Sequence, residues 1–344
     1  MKFQSIQTLR AVAALMVMVM HARIAVYWAT DLWYIPGISD NGALGVNLFF
    51  CISGFIICHV VSKSDFRPGV FLLKRAWRIV PLYWIVMGLG LWFCHTDRFF
   101  IHDLERLGDI GMLKSFLIFP QVEHPFIAPG WSLEHEIIFY ALAALIVPFA
   151  RVRGLFLAVV ALWFVGRFYK GWDYHLFADA HIYFAGGIAS YWLRKADPKV
   201  LLSVAAACLA VAYGDLYKLV ALGSFWVAVL FSAGFSALIA GLVSLEYKGL
   251  TFPRWLVGIG NASFSIYLVH WIVLPWIGLA AYYQGGSLEG WRWVAVAASL
   301  AAGLLSYNLI ERPLMAFAQW VEKPNAGRGE VAEPELPPSS VPLK

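Results

Sequence analysis

Charge is scarce in this chain. Only 14% of its 344 residues are Asp, Glu, Lys or Arg, against 61% that are hydrophobic; a soluble domain of this size carries nearly twice that share of charge. The scarcity excludes a soluble globular enzyme, and the basic residues, scattered at the ends of apolar runs, make no nucleic-acid-binding surface. Cysteine is scarce too. Cys51, Cys58, Cys94 and Cys208 lie in or beside apolar runs, with neither disulfide-framework nor zinc-site spacing, so they read as packing residues and no metal is expected. There is no repeat strong enough to argue from and no long linker. What fills the chain is a succession of apolar runs long enough to cross a bilayer.

The expected fold is all-α, a polytopic transmembrane helical bundle of about ten spans. The runs lie at 7–27, 43–62, 79–94, 133–150, 154–169, 180–193, 200–214, 223–245, 260–282 and 292–310, with an eleventh, re-entrant or interfacial piece at 110–120. A cytoplasmic amino terminus puts Lys63, Arg67, Lys74, Arg75 and Arg78 on the inner side, with Arg151/Arg153, Arg194/Lys195 and Arg312. That is the bias expected of cytoplasmic loops. Both termini are then cytoplasmic, and the expected setting is a bacterial inner membrane. Residues 1–320 form the transmembrane domain, and 321–344, rich in Pro, Glu and Ser, form a disordered cytoplasmic tail. The first run is not read as a cleaved leader, because Arg10 abuts its apolar core and no small-x-small site follows.

Ionisable side chains inside such runs are costly and so point to function. In TLRAVAALMVMVMHAR, Arg10 and His21 are eleven residues apart. That spacing is close to three whole turns, which puts them on one face about 16.5 Å apart along the axis. Snorkelling of Arg10 and interface lining by His21 account for the pair as well as chemistry does. In GVNLFFCISGF, Asn47 and Ser53 can hydrogen-bond between helices, while Ser53 and Gly54 permit close approach; packing explains this as well as catalysis. In LLKRAWRIVPLYW, Arg75 and Arg78 share a face at the cytoplasmic mouth of the third span. Paired guanidinium groups suit a phosphate, and topological anchoring is the competing reading.

In PGWSLEHEIIFY, Glu134 and Glu136 flank His135 where the fourth span enters from outside. Acidic residues also favour a helix amino terminus, so capping competes. Glu136, however, leads straight into an apolar helix, where it is expected to face a polar cavity. His270, in NASFSIYLVHWIVLP, lies about 15 Å into its span counted from Gly260. By depth, His21, Glu136 and His270 make an outer acid–base layer, and Arg10, Arg75 and Arg78 a basic ring at the cytoplasmic mouth.

These stretches occur in order between residue 5 and about 313. With them the chain resembles the acyltransferase-3 family of integral membrane acyltransferases, most of all its exopolysaccharide O-acetyltransferases. The resemblance implies transfer of an acyl group, usually acetyl from acetyl-CoA, to a hydroxyl of a cell-surface glycan or its lipid-linked precursor. It implies Arg10 and His21 as the signature pair, Arg75 and Arg78 as contacts to the CoA phosphates, and Glu136 as the motif carboxylate. Ser53, Asn47, Trp131, Tyr267 and His270, in the matching motifs, are the candidates for lining the substrate site. Asn47 stands where many relatives carry Asp, so no charge or proton transfer is assigned to it; Glu134 and His135 rank lower.

The expected mechanism follows from the layering. CoA phosphates dock on Arg75, Arg78 and Arg10, and the pantetheine arm threads toward His21. His21 is the general base on the acceptor hydroxyl, with Glu136 orienting it. An acyl-histidine intermediate stays open. The alternative class is a proton-coupled transporter of a small polar solute, since buried His, Glu and Arg serve that chemistry as well.

Overall fold

The computed structural model describes residues 3–25, 41–62, 66–94, 98–169 and 175–322. Among these the regular structure is helical throughout. The helices are α1 Gln4–Ala25, α2 Leu44–Val61, α3 Pro68–Phe93, α4 Arg98–Leu117, α5 Trp131–Gly166 and α6 Ala180–Leu193. They continue with α7 Pro198–Leu216, α8 Ser224–Tyr247, α9 Arg254–Asn261, α10 Ser263–Gln284, α11 Leu288–Ser306 and α12 Arg312–Glu322. A 3-10 turn, Ala128–Gly130, leads into α5, and a π-turn, Tyr307–Glu311, joins α11 to α12. The tail expected from residue 321 begins inside α12 and otherwise lies outside the described residues.

Eight of these helical stretches are long and apolar enough to cross a membrane, against the ten runs read from sequence. Two features make the difference. The runs 133–150 and 154–169 are the two limbs of α5, which bends at Arg151 (φ 55°), and α6 has only 14 residues. Other boundaries shift for local reasons. α3 begins at Pro68 rather than 79 because Lys74, Arg75 and Arg78 lower hydropathy without lowering helix propensity. The two arginines are therefore within the helix, about two and three turns from its start. The run 260–282 breaks at Ala262 into α9 and α10. The piece expected at 110–120 belongs to α4, broken at Gly108 (φ 56°) and exposing Ile110 and Leu113. Beyond it the chain turns inward, burying Phe126 and Ile127 completely.

α1 is the axis of the bundle, in contact with α2, α8, α9, α10 and α11. Its start is held from outside the helix: the Glu246 carboxylate on α8 accepts from the backbone N–H groups of Gln4 (2.8 Å) and Ser5 (2.9 Å). A carboxylate there satisfies donors that the first turn leaves unpaired, and it meets the positive end of the helix dipole. α10 is held in the same way at its start, where Glu311 of the π-turn accepts from Ser265 N (3.2 Å) and Ser265 Oγ (2.6 Å).

Glycine sets how closely the helices approach. A Cβ on Gly187 of α6 would lie 1.9 Å from the Cys51 carbonyl oxygen of α2, and one on Gly260 of α9 would lie 1.8 Å from that of Gln7 in α1. Gly54 meets Gly187 in the first of these contacts, as its small size in GVNLFFCISGF suggests. Gly187→Val should therefore lower the unfolding midpoint of the detergent-purified protein, by about 1–3 kcal/mol of overpacking or more. Gly88→Ala, a position with nothing within 4 Å, should leave it equal or higher; thermal unfolding of the two variants side by side checks this.

Candidate active site

α1, α2, α3, α5 and α10 converge on one cavity, about 720 Å³ of empty space when the open solvent at its mouth is included. Three guanidinium groups line it: Arg10 from α1, and Arg75 and Arg78 from α3. Arg10 is buried, with Arg78, Glu311 and Glu136 as its charged neighbours, so it does not snorkel to lipid. The Arg75 guanidinium lies over the rings of Phe71 (5.4 Å) and Tyr140 (5.3 Å), which fix its height in the cavity. Three cations against the carboxylates of Glu136 and Glu311 leave the chamber positive. An anionic ligand suits it.

Glu136 faces this chamber. It accepts from Ser53 Oγ at 2.8 Å and from the Tyr140 hydroxyl one turn further along α5. This corrects the expected layering. Glu136 does not join His21, because five residues of helix beyond Trp131 carry it about 7.5 Å down, to the level of Ser53 and the arginines. The partner of His21 is His270: His21 Nδ1 lies 2.8 Å from His270 Nε2, with the ring planes within 9° of parallel. His270 is fully buried and its Nδ1 lies 3.0 Å from the Ile266 carbonyl oxygen. Trp271 packs edge-on against His21, ring centroids 5.3 Å apart.

Tyr267 separates the two layers. Its ring lines the cavity and lies 6.0 Å from that of His270. Its hydroxyl is 2.8 Å from Ser132 Oγ and 3.0 Å from the Pro129 carbonyl oxygen. Ser53 and Tyr267 thus line the cavity, whereas Asn47 and Trp131 are half-buried and outside it. Trp131 instead packs on Phe50 and His135. Tyr140 and Glu311 were missed. The four-residue spacing of Glu136 and Tyr140 signals the first, while Glu311 reads from sequence as the polar exit of the last span.

Glu134 and His135 belong to another group behind α5. Glu134 pairs with His175 at 2.8 Å, both 1% exposed, and the His135 ring lies 4.5 Å from that of His175. Among the described residues no three His, Cys, Asp or Glu side chains are arranged to hold a metal.

One buried arginine and two half-buried ones thus face a carboxylate, with a histidine pair one layer away. Residues 3–311 fit the acyltransferase domain, acyltransferase-3. The chain belongs to the acyltransferase-3 family. This acyltransferase is 30% identical over 291 residues to the exopolysaccharide production protein ExoZ of Rhizobium meliloti (strain 1021), covering 80% of this chain and 90% of that one. It is 24% identical over 323 residues to the acyltransferase MdmB of Streptomyces mycarofaciens, covering 81% and 82%. Protein 2 in the picA locus of Rhizobium radiobacter aligns over 166 residues at 30% identity, covering 42% of this chain and 81% of that one. No solved structure matches it. It is an integral, multi-pass membrane enzyme.

The charge of the chamber is open to a direct check on this acyltransferase. With the four native cysteines (none in a disulfide) replaced, Ser53→Cys should react faster with an anionic methanethiosulfonate than with a cationic one, by about tenfold or more relative to an exposed cysteine. Adding Arg78→Ala should shrink that ratio, and labelling kinetics measure both.

Proposed function

We propose that this chain is an O-acyltransferase of the bacterial inner membrane. It moves an acetyl group from cytoplasmic acetyl-CoA to a hydroxyl of a cell-surface glycan or its lipid-linked precursor. The observation that carries the reading is the arginine-lined cavity closed at one end by Tyr267, with His21 and His270 just beyond. The relative ExoZ is named for exopolysaccharide production, which supports a polysaccharide acceptor. Gln4 and Arg312 belong to the same end of the bundle, since Gly260 abuts Gln7 and Glu311 holds Ser265. With that end in the cytoplasm, the cavity receives its ligand from the cytoplasmic side.

Arg10, Arg75 and Arg78 hold the phosphates of CoA, because guanidinium groups make charge-assisted and bidentate bonds to phosphate oxygens. The pantetheine arm runs past Tyr267, whose ring gives way, toward His21. His21 takes the proton of the acceptor hydroxyl as that oxygen attacks the thioester carbonyl carbon. The carbon–sulfur bond breaks, and the imidazolium returns the proton to the departing CoA sulfur. No net proton is gained or lost, and no metal takes part. Glu136 stays in the donor chamber, where it balances the arginines and positions Ser53 and Tyr140.

Purified protein in lipid nanodiscs, given acetyl-CoA and an oligosaccharide acceptor, should transfer acetyl. His21→Ala should lower kcat by about 10²–10⁴-fold. Arg75→Ala and Arg78→Ala should each raise the KM for acetyl-CoA about tenfold or more, in line with roughly 1.5–3 kcal/mol for a hydrogen bond to a charged group. Wild-type turnover by folded His21→Ala would remove His21 from the chemistry. Acetyl-CoA affinity unchanged in both arginine variants and in their double variant would reduce them to topological anchors.

A further inference from the structure

Resting on the reading of His21 as the base, we infer that His270 is a positioning residue that holds His21 as its Nδ1–H tautomer, leaving Nε2 free to take the acceptor's proton. Two hydrogen bonds in series set this tautomer. The Ile266 carbonyl oxygen can only accept, so the His270 nitrogen 3.0 Å from it, Nδ1, carries the hydrogen. A neutral imidazole with hydrogen on Nδ1 has its lone pair on Nε2. That lone pair faces His21 Nδ1 at 2.8 Å, so His21 Nδ1 donates. The remaining nitrogen of His21, Nε2, is then the unprotonated one.

The ring geometry agrees. An imidazole lone pair lies in the ring plane, and the two planes are within 9° of each other. With the ring centroids 5.1 Å apart and the bonded nitrogens only 2.8 Å apart, the rings meet edge to edge and not face to face.

A carboxylate does this work for the imidazole in serine-protease triads. Here the motif carboxylate, Glu136, is committed to Ser53 and Tyr140 in the other layer. A neutral histidine anchored on a backbone carbonyl supplies the same acceptor without burying an anion beside α10 at membrane depth. When His21 is protonated at Nε2 in turnover, its Nδ1–H bond to His270 Nε2 is retained and strengthened by the charge. The proton goes from His21 to sulfur, and His270 stays neutral throughout.

The test is the tautomer itself, read by ¹⁵N NMR of protein labelled at its histidines in nanodiscs. With nine histidines in the chain, the His21 signals are assigned by difference against His21→Gln. The expected spectrum has a protonated Nδ1 and an unprotonated Nε2 at His21, in the wild type and without substrate. An Nε2–H tautomer there overturns the inference, whether or not the protein transfers acetyl. Absence of acetyl transfer by the wild type would instead count against the proposed function and leave the tautomer result standing. Kinetics give the second arm. His270→Phe, which keeps a ring but has no acceptor, should lower kcat by about 10²-fold or more while leaving the KM for acetyl-CoA nearly unchanged. His270→Gln, whose side-chain oxygen stands close to the place of Nε2, should recover part of that loss. Wild-type kcat in His270→Phe, or no recovery in His270→Gln, contradicts the inference.

Discussion

A guanidinium held among membrane-spanning helices must have an anion or water beside it. At the centre of a span an unrelieved arginine costs about 2.5–3.5 kcal/mol on insertion scales. Arg10, on the helix that forms the axis of the bundle, meets this constraint with Glu136, Glu311 and a cavity. Much else depends on it. The cavity exists because five helices leave room around that charge. The π-turn places Glu311 where it both faces Arg10 and caps α10. Two further arginines add positive charge beyond what the carboxylates balance, which suits the chamber to an anion.

The second consequence is vertical separation. Carboxylate and cations share one level, so the histidines one layer away are free of full charges and pair with each other. Tyr267 stands between the layers, tied to Pro129 and Ser132. In the proposed reaction a donor with its phosphates in the first layer and its thioester in the second is held at both ends. Holding it so supplies the orientation that transfer needs.

How far the site was legible follows from which contacts are local. Arg10 and His21 share a face because one helix relates them, and hydropathy alone marks that helix. The start of α3 was placed too late because an apolar window trims its charged first turns although those residues favour helix. Glu136 was assigned to the wrong partner since nothing in a sequence tells how α5 is rotated against α2, and that rotation gives it to Ser53 instead of His21. The His21–His270 bond joins residues 249 apart. Apolar runs carry both, but only the packing of α10 on α1 brings them together. Bundle architecture, by contrast, was readable almost throughout, because helix length and apolarity in a bilayer are local properties.

In the proposed reaction donor and chemistry occupy different levels of one bundle, with the donor entering at the arginine end. Proteoliposomes with the protein in one orientation, acetyl-CoA confined to one side and the glycan acceptor supplied on the other, test that most directly. Acetylated acceptor should form only when acetyl-CoA is on the side bearing Gln4 and Arg312. Equal product with acetyl-CoA on either side, or product only from the opposite side, would contradict it.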